Sequence, residues 1–230
     1  MFITKQSEPD CSGFEESQVK KKKEDRRVHR TQQLLRDALI ELIIEKGYEE
    51  VTVQDIIDRA NVGRSTFYSH FMDKQQLLLS GLKQLRESLA QHQQSGKATG
   101  AKGGGEERLL NFSLAMFQHA ESNYRLYQAM VGKQSGAFVL RHMQRMIADL
   151  AREELEAIAQ RASPKIPPNV IAQYAASSLM GLLIWWADQK MPRPAEEMNR
   201  MFRALTLPGI NATLRTVAGS SLPSDDSTTR

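Results

Sequence analysis

The sequence predicts an all-α protein, in which an N-terminal three-helix unit with a helix-turn-helix precedes a larger α-helical domain. Two observations lead to this prediction. Apolar residues recur at helical spacing along most of the chain, and no run shows the strict alternation that is typical of strands. Glycine, proline and N-capping residues separate the apolar stretches at the places where helices are expected to begin and end.

The N-terminal unit is assigned to residues 26–73 and follows a polar stretch. Residues 1–25 lack apolar periodicity, so we expect a disordered basic leader there. This leader holds Cys11, the only cysteine, which excludes an internal disulfide. The first helix is expected to end at Gly47 in a left-handed cap, and its apolar stripe consists of Leu34, Leu35, Ala38, Leu39, Leu42 and Ile43.

A second helix and a tight turn are predicted next. Thr52 and Asp55 have the spacing of a capping box, in which the threonine hydroxyl accepts an otherwise unpaired backbone amide. The buried face of the helix then carries Ile56 and Ile57, with Val53 and Ala60 beside them. The turn contains Asn61, one of the few non-glycine residues that tolerate the left-handed conformation.

The third helix covers about residues 63–71 and has two different faces. Its spacing directs Phe67 and Phe71 into the core. Small hydroxyl residues with larger polar neighbours lie on the opposite side: Ser65, Thr66 and Ser69, flanked by Tyr68, His70 and Arg64. This face suits a helix that enters the major groove of DNA. From periodicity alone, a surface helix-hairpin without any DNA role is an equally good interpretation.

Beyond residue 73 the sequence predicts four segments: a connecting helix at 74–92, a flexible glycine-rich linker at 93–105, an α-helical domain at 106–218 and a disordered tail at 219–230. Asp73 and Gln76 form a second capping box at the start of the connecting helix. The helices of the larger domain are expected near Glu106–Ala120, Asn123–Val131, Gly136–Ala162, Pro168–Lys190 and Ala195–Leu207.

A specific motif decides between the two interpretations of the third helix. The run Thr66-Phe67-Tyr68-Ser69-His70-Phe71-Met72-Asp73-Lys74 lies in a segment from about Arg30 to about Leu82, which resembles the DNA-binding domain of the TetR/AcrR family of regulators. The sequence departs from the family pattern at Asn61, usually glycine, and at Gly63, often serine. The resemblance implies a helix-turn-helix DNA-binding domain followed by an α-helical ligand-binding and dimerisation domain.

The same resemblance implies a function and roles for individual residues. We expect a cytoplasmic homodimer that acts as a repressor and is released from a palindromic DNA operator by a small-molecule effector. Phosphate contacts are implied for Thr52, Tyr68, His70 and Lys74, and base-edge contacts for Arg64, Ser65 and Thr66, with Gln54 and Ser69 as further DNA-binding candidates. A basic cluster upstream, Lys20–Lys23 with Arg26, Arg27 and Arg30, is a candidate arm for phosphates or the minor groove.

Methionine and aromatic residues in the C-terminal half are candidates for an effector pocket, since such side chains suit an adaptable apolar cavity. The pocket candidates are Phe117, Tyr124, Tyr127, Met130, Met143 and Trp185. Ordinary core packing explains the same residues, so both interpretations stay open. A DNA-binding architectural protein without an effector is the corresponding alternative function.

The segment from Pro168 to Leu207 predicts the dimer interface. Its first helix is apolar all round, and such a helix must be buried all round, so a partner subunit is the simplest cover. The interface candidates are Ser178, Gly181, Leu182, Trp186, Met198, Met201 and Phe202. The alternative is that both apolar stripes close the core of a monomer.

Other classes of protein find little support in the sequence. The histidines are isolated from cysteines and paired carboxylates, and no nucleophile motif or cofactor fingerprint is present. We therefore expect no enzyme, no metal and no cofactor. A membrane span is not expected either, because the nearest candidate, Ile171–Ala187, is short and interrupted by polar residues.

Overall fold

The computed structural model describes residues 12–98, 109–130, 136–159 and 166–214, and the described part of the chain contains helices and turns but no strand. This confirms the all-α prediction. In chain order the helices are α1 (Ser12–Lys46), α2 (Val53–Ala60), α3 (Arg64–His70), α4 (Lys74–Ala98), α5 (Phe112–Ser122), α6 (Tyr124–Met130), α7 (Gly136–Ala159), α8 (Pro168–Asp188) and α9 (Ala195–Leu214). Packing divides the chain into two compact units, residues 1–80 and 81–230, with the boundary inside α4.

The N-terminal unit is built on the packing of α1 against α2. Apolar side chains from all four of its helical segments are removed from water: Leu35, Leu39, Leu42 and Ile43 of α1, Ile56 and Ile57 of α2, Phe67 of α3 and Leu77 of α4. At the edge of this core Arg59 donates to Glu45 at 2.7 and 2.8 Å and to Glu41 at 3.0 Å. This bidentate pair holds α2 on α1.

Helix α1 begins earlier than the sequence analysis expected. Residues 12–25, which we assigned to a disordered leader, are helical, whereas residues 1–11 with Cys11 lie outside the described residues. The expectation was wrong because it equated missing apolar periodicity with disorder. Lysine, glutamate and glutamine have high intrinsic helix propensity, and no glycine or proline follows Gly13 until Gly47.

Helix α4 has the predicted start and a later end. The backbone amide of Gln76 donates to the Asp73 side chain at 2.7 Å, which confirms the cap. The second bond of the capping box differs from the prediction, however: the Gln76 side chain accepts from the backbone amide of Met72, at 2.6 Å, and not from the amide of Asp73. The helix continues to Ala98, so residues 93–98 are not linker; Gln93 is buried and extends the packed face. The rest of the predicted linker lies outside the described residues.

The C-terminal unit has α8 packed along α7 and α5 packed on α9. An aromatic cluster occupies its core: Phe117 lies edge-on to Trp186 at 5.8 Å and to Phe202 at 6.2 Å between ring centroids. The last helix runs to Leu214 instead of ending near Leu207, with Pro208 inside it. Buried Ile210 and Leu214 explain the extension, because they continue the apolar stripe past the proline.

The start of α5 is determined by two charged side chains. The amide of Leu110 donates to the carboxylate of buried Glu154 at 2.8 Å, and Arg203 donates to the carbonyl oxygen of Leu109 at the same distance. Leu110 has a φ of 59°, a left-handed conformation that interrupts a helix. Helix α5 therefore begins at Phe112, and the predicted start near Glu106 lies outside the described residues.

By length and composition, α8 is apolar enough to cross a membrane, contrary to the expectation that no segment of the chain would qualify. Half of its apolar window is buried inside the protein. Core helices of globular domains have the same character, and the packing of α8 against α7 accounts for the buried half of its apolar side chains.

Candidate nucleic-acid interface

The turn between α2 and α3 fixes the angle of the helix-turn-helix. Asn61 adopts the expected left-handed conformation, with φ 50° and ψ 49°. Its amide donates to the carbonyl oxygen of Asp58 at 3.2 Å, and the amide of Val62 donates to that of Ile57 at 3.0 Å. These bonds satisfy the last carbonyl groups of α2 and turn the chain into α3.

Helix α3 presents the face that the sequence predicted. Phe67 and Phe71 are buried, with their ring centroids 6.1 Å apart. Ser65, Ser69 and Arg64 are exposed on the other side, whereas Thr66 and His70 are half-buried. Gly63 precedes α3 as its N-cap and provides no side-chain hydrogen bond. The helix is thus anchored by its aromatic face and leaves its polar face to solvent.

The polar side chains of this face differ in how many of their hydrogen-bonding groups are occupied. The Arg64 guanidinium lies 5.9 Å from the centroid of the Tyr68 ring, and that ring, 49% exposed, packs edge-on against Phe67. The Ser69 hydroxyl donates to the carbonyl oxygen of Thr66 at 2.7 Å. The side-chain amide of Gln54 donates to Asp58 within α2 at 2.8 Å. Arg64 and Tyr68 are therefore better placed than Gln54 and Ser69 to donate outward.

Thr52 is occupied by the capping box that the sequence predicted. Its hydroxyl accepts from the amide of Asp55 at 3.1 Å and donates to the Asp55 carboxylate at 2.6 Å, and its own amide donates to the same carboxylate at 2.7 Å. Lys46 adds an ion pair at 2.7 Å. The hydrogen bond from Lys46 and those from Thr52 hold the pKa of Asp55 well below its usual range.

Lys74 makes contacts that the sequence gave no reason to expect. Its ammonium group donates to three backbone carbonyl oxygens of the loop between α1 and α2: Tyr48 at 3.0 Å, Glu49 at 3.0 Å and Val51 at 2.8 Å. The same nitrogen lies 4.7 Å from the centroid of the Tyr48 ring. An ammonium group has three donors, so all of them are used inside the N-terminal unit.

The pocket candidates fall into two groups. Phe117, Tyr127, Met130 and Met143 are buried, and Tyr124 on α6 is half-buried. Trp185 is 50% exposed on α8, unlike the buried group, and its assignment to a pocket stays a prediction.

The interface candidates also divide, and three of them need correction. Gly181 is exposed, and Ser178, Leu182 and Met201 are half-buried. Trp186, Met198 and Phe202 are at most 1% exposed, so they belong to the core and cannot contact a second subunit. On a helix that is apolar all round, composition does not tell which side faces inward, and neighbouring residues point about 100° apart.

Exposed apolar side chains nevertheless remain on these helices. We call these positions the α8–α9 outer face, which comprises Val170, Tyr174, Gly181 and Trp185 of α8 with Leu205 of α9. Leu205 is 74% and Tyr174 56% exposed. In the sequence, Tyr174 and Leu205 recur at helical spacing with the other apolar residues of the segment from Pro168 to Leu207, and this spacing is the signal that could have identified them.

Two models of known protein families match this chain, one in each of its two units. The family model described as "Bacterial regulatory proteins, tetR family" matches residues 35–80, and the model described as "Transcriptional regulator C-terminal region" matches residues 107–207. An uncharacterized HTH-type transcriptional regulator, YxbF of Bacillus subtilis, is 26% identical over 186 residues, which cover 80% of this chain and 46% of that protein. The chain spans less than half the length of the curated relatives that it matches.

Solved structures show the same fold. A TetR-family transcriptional regulator from Syntrophomonas wolfei is 22% identical, with a TM-score of 0.65 over 82% of this chain and 98% of the other. The repressor FadR of Thermus thermophilus, solved in complex with lauroyl-CoA, is 19% identical with a TM-score of 0.58, over 82% of this chain and 98% of the other.

Proposed function

The chain belongs to the TetR family of bacterial transcriptional regulators, and on that premise we propose that it is a cytoplasmic, dimeric repressor whose operator DNA is released by a small-molecule effector. The observation that carries the proposal is the outward face of α3. Arg64, Ser65 and Tyr68 are exposed there, on a helix whose orientation is fixed by Phe67 and by the turn at Asn61.

We assign base reading to the first turn of α3 and backbone contacts to its flank. Arg64 has a guanidinium group with the reach for a base edge, and Ser65 and Thr66 let the backbone approach. Tyr68 and His70 are assigned to phosphates. Arg64→Ala should change base preference at particular operator positions, by about 1 to 3 kcal/mol each, whereas Tyr68→Phe should weaken all sequences alike. Ser80→Ala is the matched control, because the Ser80 hydroxyl lies on α4, outside this face, and donates within its own helix.

We propose that Thr52 and Lys74 affect DNA binding indirectly, by stabilising the start of α2 and the loop that precedes it. A direct phosphate contact by either would require donors that are engaged inside the N-terminal unit. Each instead stabilises the start of α2: Thr52 caps it, and Lys74 holds the loop that leads to it. Gln54 keeps its proposed DNA role, because its bond to Asp58 uses one of its two amide N–H groups and leaves the carbonyl oxygen free to accept.

The dimer is proposed to form through the α8–α9 outer face. Val170, Tyr174, Gly181 and Trp185 recur at helical spacing on one side of α8, and a second copy that covers this side together with Leu205 of α9 gives a four-helix bundle. Gly181→Arg tests this, because nothing lies within 4 Å of an added Cβ and the subunit itself should fold unchanged. Sedimentation at micromolar concentration should show a wild-type dimer and a monomeric variant; a monomeric wild type contradicts the proposal.

A two-fold dimer predicts the form of the operator. Two α3 helices meet successive major grooves, so the half-sites should be inverted repeats about one helical turn, or 34 Å, apart. Footprinting should protect both halves, and the Gly181→Arg variant should lose most affinity because a single subunit makes half the contacts. Protection of one asymmetric half-site by the wild type would exclude the palindrome.

A DNA-binding architectural protein without an effector is the second candidate. The complex of FadR with lauroyl-CoA favours the effector function, since that protein has the same fold. Operator affinity measured with apolar and amphipathic metabolites separates the two. Release of DNA by at least one compound supports a ligand-controlled repressor, and constant affinity throughout supports the architectural role.

A further inference from the structure

Two buried side-chain polar atoms in the C-terminal unit have no partner among the described residues, the Tyr127 hydroxyl and Asn211 Oδ1, and the first belongs to a fully buried ring. Tyr127 on α6 is 2% exposed, and its hydroxyl oxygen makes no hydrogen bond to any of them. Buried hydroxyls are nearly always hydrogen-bonded, because an unpaired one loses its solvation without compensation. Burial raises the pKa of the Tyr127 phenol well above its usual range, so the group keeps its proton and can both donate and accept.

A second neutral polar group lies beside Tyr127. The His119 ring meets the Tyr127 ring edge-on, with 6.1 Å between centroids. The side-chain amide of Asn123 donates to the His119 carbonyl oxygen at 2.8 Å and lies 3.4 Å from Nδ1. The Asn123 amide nitrogen faces Nδ1, so this contact is a hydrogen bond in the tautomer that has its proton on Nε2. Burial lowers the pKa of His119, which leaves the ring uncharged at neutral pH.

The described side chains around α6 disfavour a charged ligand group. Helix α6 packs against α5, α7 and α8. Among the described residues of these four helices, Glu154 is the only buried charged side chain, and it accepts from the amide of Leu110. All the other charged side chains are exposed. A ligand charge beside Tyr127 would therefore be desolvated without an ion pair.

We propose that the Tyr127 hydroxyl is the polar anchor of a site for an uncharged, mainly apolar molecule with one hydroxyl or carbonyl group. The His119 ring, edge-on to Tyr127, supplies a second polar group at the site. The flexible side chains of Met130 and Met143, both buried, belong to helices α6 and α7 and suit an apolar ligand body. This inference rests on the proposed effector function and adds the chemical class of the effector.

A matched series of ten-carbon probes tests the ligand class. The full-length protein without DNA is titrated with 1-decanol, decanoate and decylammonium, which share a flexible tail and differ in head-group charge. We expect 1-decanol to raise the unfolding temperature in a saturable way and the two ions to do so far less. No response to 1-decanol, or an equal response to either ion, overturns the proposal.

Tyr127→Phe tests the anchor, with Tyr174→Phe as its control, because the Tyr174 side chain is exposed on α8 and lies outside the proposed ligand site. Affinity for 1-decanol should fall about two- to tenfold in the first variant, which corresponds to one hydrogen bond, and stay constant in the second. Without ligand, Tyr127→Phe should unfold at the wild-type temperature or above, because it removes an unpaired hydroxyl. A decrease of about 2 to 4 °C would show that the hydroxyl has a partner in the ligand-free protein and would overturn the proposal.

Operator binding is measured separately, so that the two proposals fail separately. If 1-decanol binds in the Tyr127-dependent way but leaves operator affinity unchanged, the site stands and the effector function fails. If another compound releases the operator and Tyr127→Phe does not alter its action, the effector function stands and this site is not the one that serves it.

Discussion

Replacement of Lys74 by methionine distinguishes a phosphate contact from a role inside the N-terminal unit. Methionine keeps an unbranched apolar side chain and removes the three donors to the loop carbonyls. The bonds to Tyr48 and Val51 are half-buried and contribute about 1 kcal/mol each. The ring contact with Tyr48 adds about 0.5 to 1 kcal/mol, and the exposed bond to Glu49 adds little. The sum is about 2 to 3 kcal/mol.

Thermal unfolding and salt-dependent DNA binding measure the two roles independently. A loss of this size in a unit of about 80 residues lowers its unfolding temperature by on the order of 10 °C. Operator affinity should fall because the loop before α2 is less ordered. The slope of log affinity against log salt should not change, since no phosphate contact is lost. A lost phosphate contact would reduce the slope by about 0.9 per subunit.

Lys83→Met is the control for the loss of one positive charge, because Lys83 is an exposed lysine of the same helix. It should leave both the unfolding temperature and the salt slope unchanged. The reasoning about Lys74 is refuted if Lys74→Met keeps the wild-type unfolding temperature while the salt slope decreases by about 0.9 per subunit.

Three further predictions concern the N-terminal unit. Lys46 and Thr52 depress the pKa of Asp55, so the Asp55 carboxylate stabilises the fold fully above the unfolded pKa of about 4, and this stabilisation is lost as the pH falls below it. The difference in unfolding free energy between wild type and Asp55→Asn, measured in urea, should therefore shrink below that pH, and a constant difference would contradict this. Arg26, Arg27 and Arg30 are exposed, and joint replacement by glutamine should lower the salt slope of DNA binding if α1 contacts phosphates, whereas an unchanged slope excludes the arm. Gly63→Ser should stabilise α3 by a few tenths of a kcal/mol, because Gly63 is an N-cap without a side-chain bond and an added Cβ meets only Thr66 at 3.7 Å; lower stability in chemical denaturation would contradict it.

The helix-turn-helix was predictable because its determinants are local. The capping box at Thr52, the left-handed residue Asn61 and the inward spacing of Phe67 and Phe71 each depend on residues within a few positions of one another. The family motif in the same segment then identified its function. Where a side chain binds distant backbone, no such signal exists. The Lys74 ammonium contacts carbonyl groups 23 to 26 residues earlier, and every residue has a carbonyl group.

Hydrophobic periodicity also fails to predict the structure of segments that are almost entirely polar or almost entirely apolar. A polar segment without periodicity, residues 12–25, is helical because propensity does not depend on amphipathicity. Helix α8 fails in the opposite way, since apolar residues on all sides give no preferred inner face. In the structure, Tyr174 and Trp185 lie on the exposed side of the helix and Trp186 on the buried side. Which side faces the core is decided by Phe117 of α5, with which Trp186 packs.

The adjacent tryptophans of α8 allow that assignment to be measured in solution. They are the only two in the chain, so Trp186→Phe leaves Trp185 as the single indole fluorophore. Trp185 is 50% exposed in one subunit, whereas the proposed dimer covers it. Acrylamide should therefore quench Trp185 weakly in Trp186→Phe and strongly when Gly181→Arg is added. In the matched variant Trp185→Phe, buried Trp186 should resist quenching in either background. Equal quenching of Trp185 with and without Gly181→Arg would place it outside the subunit interface and refute the α8–α9 outer face as the dimer contact.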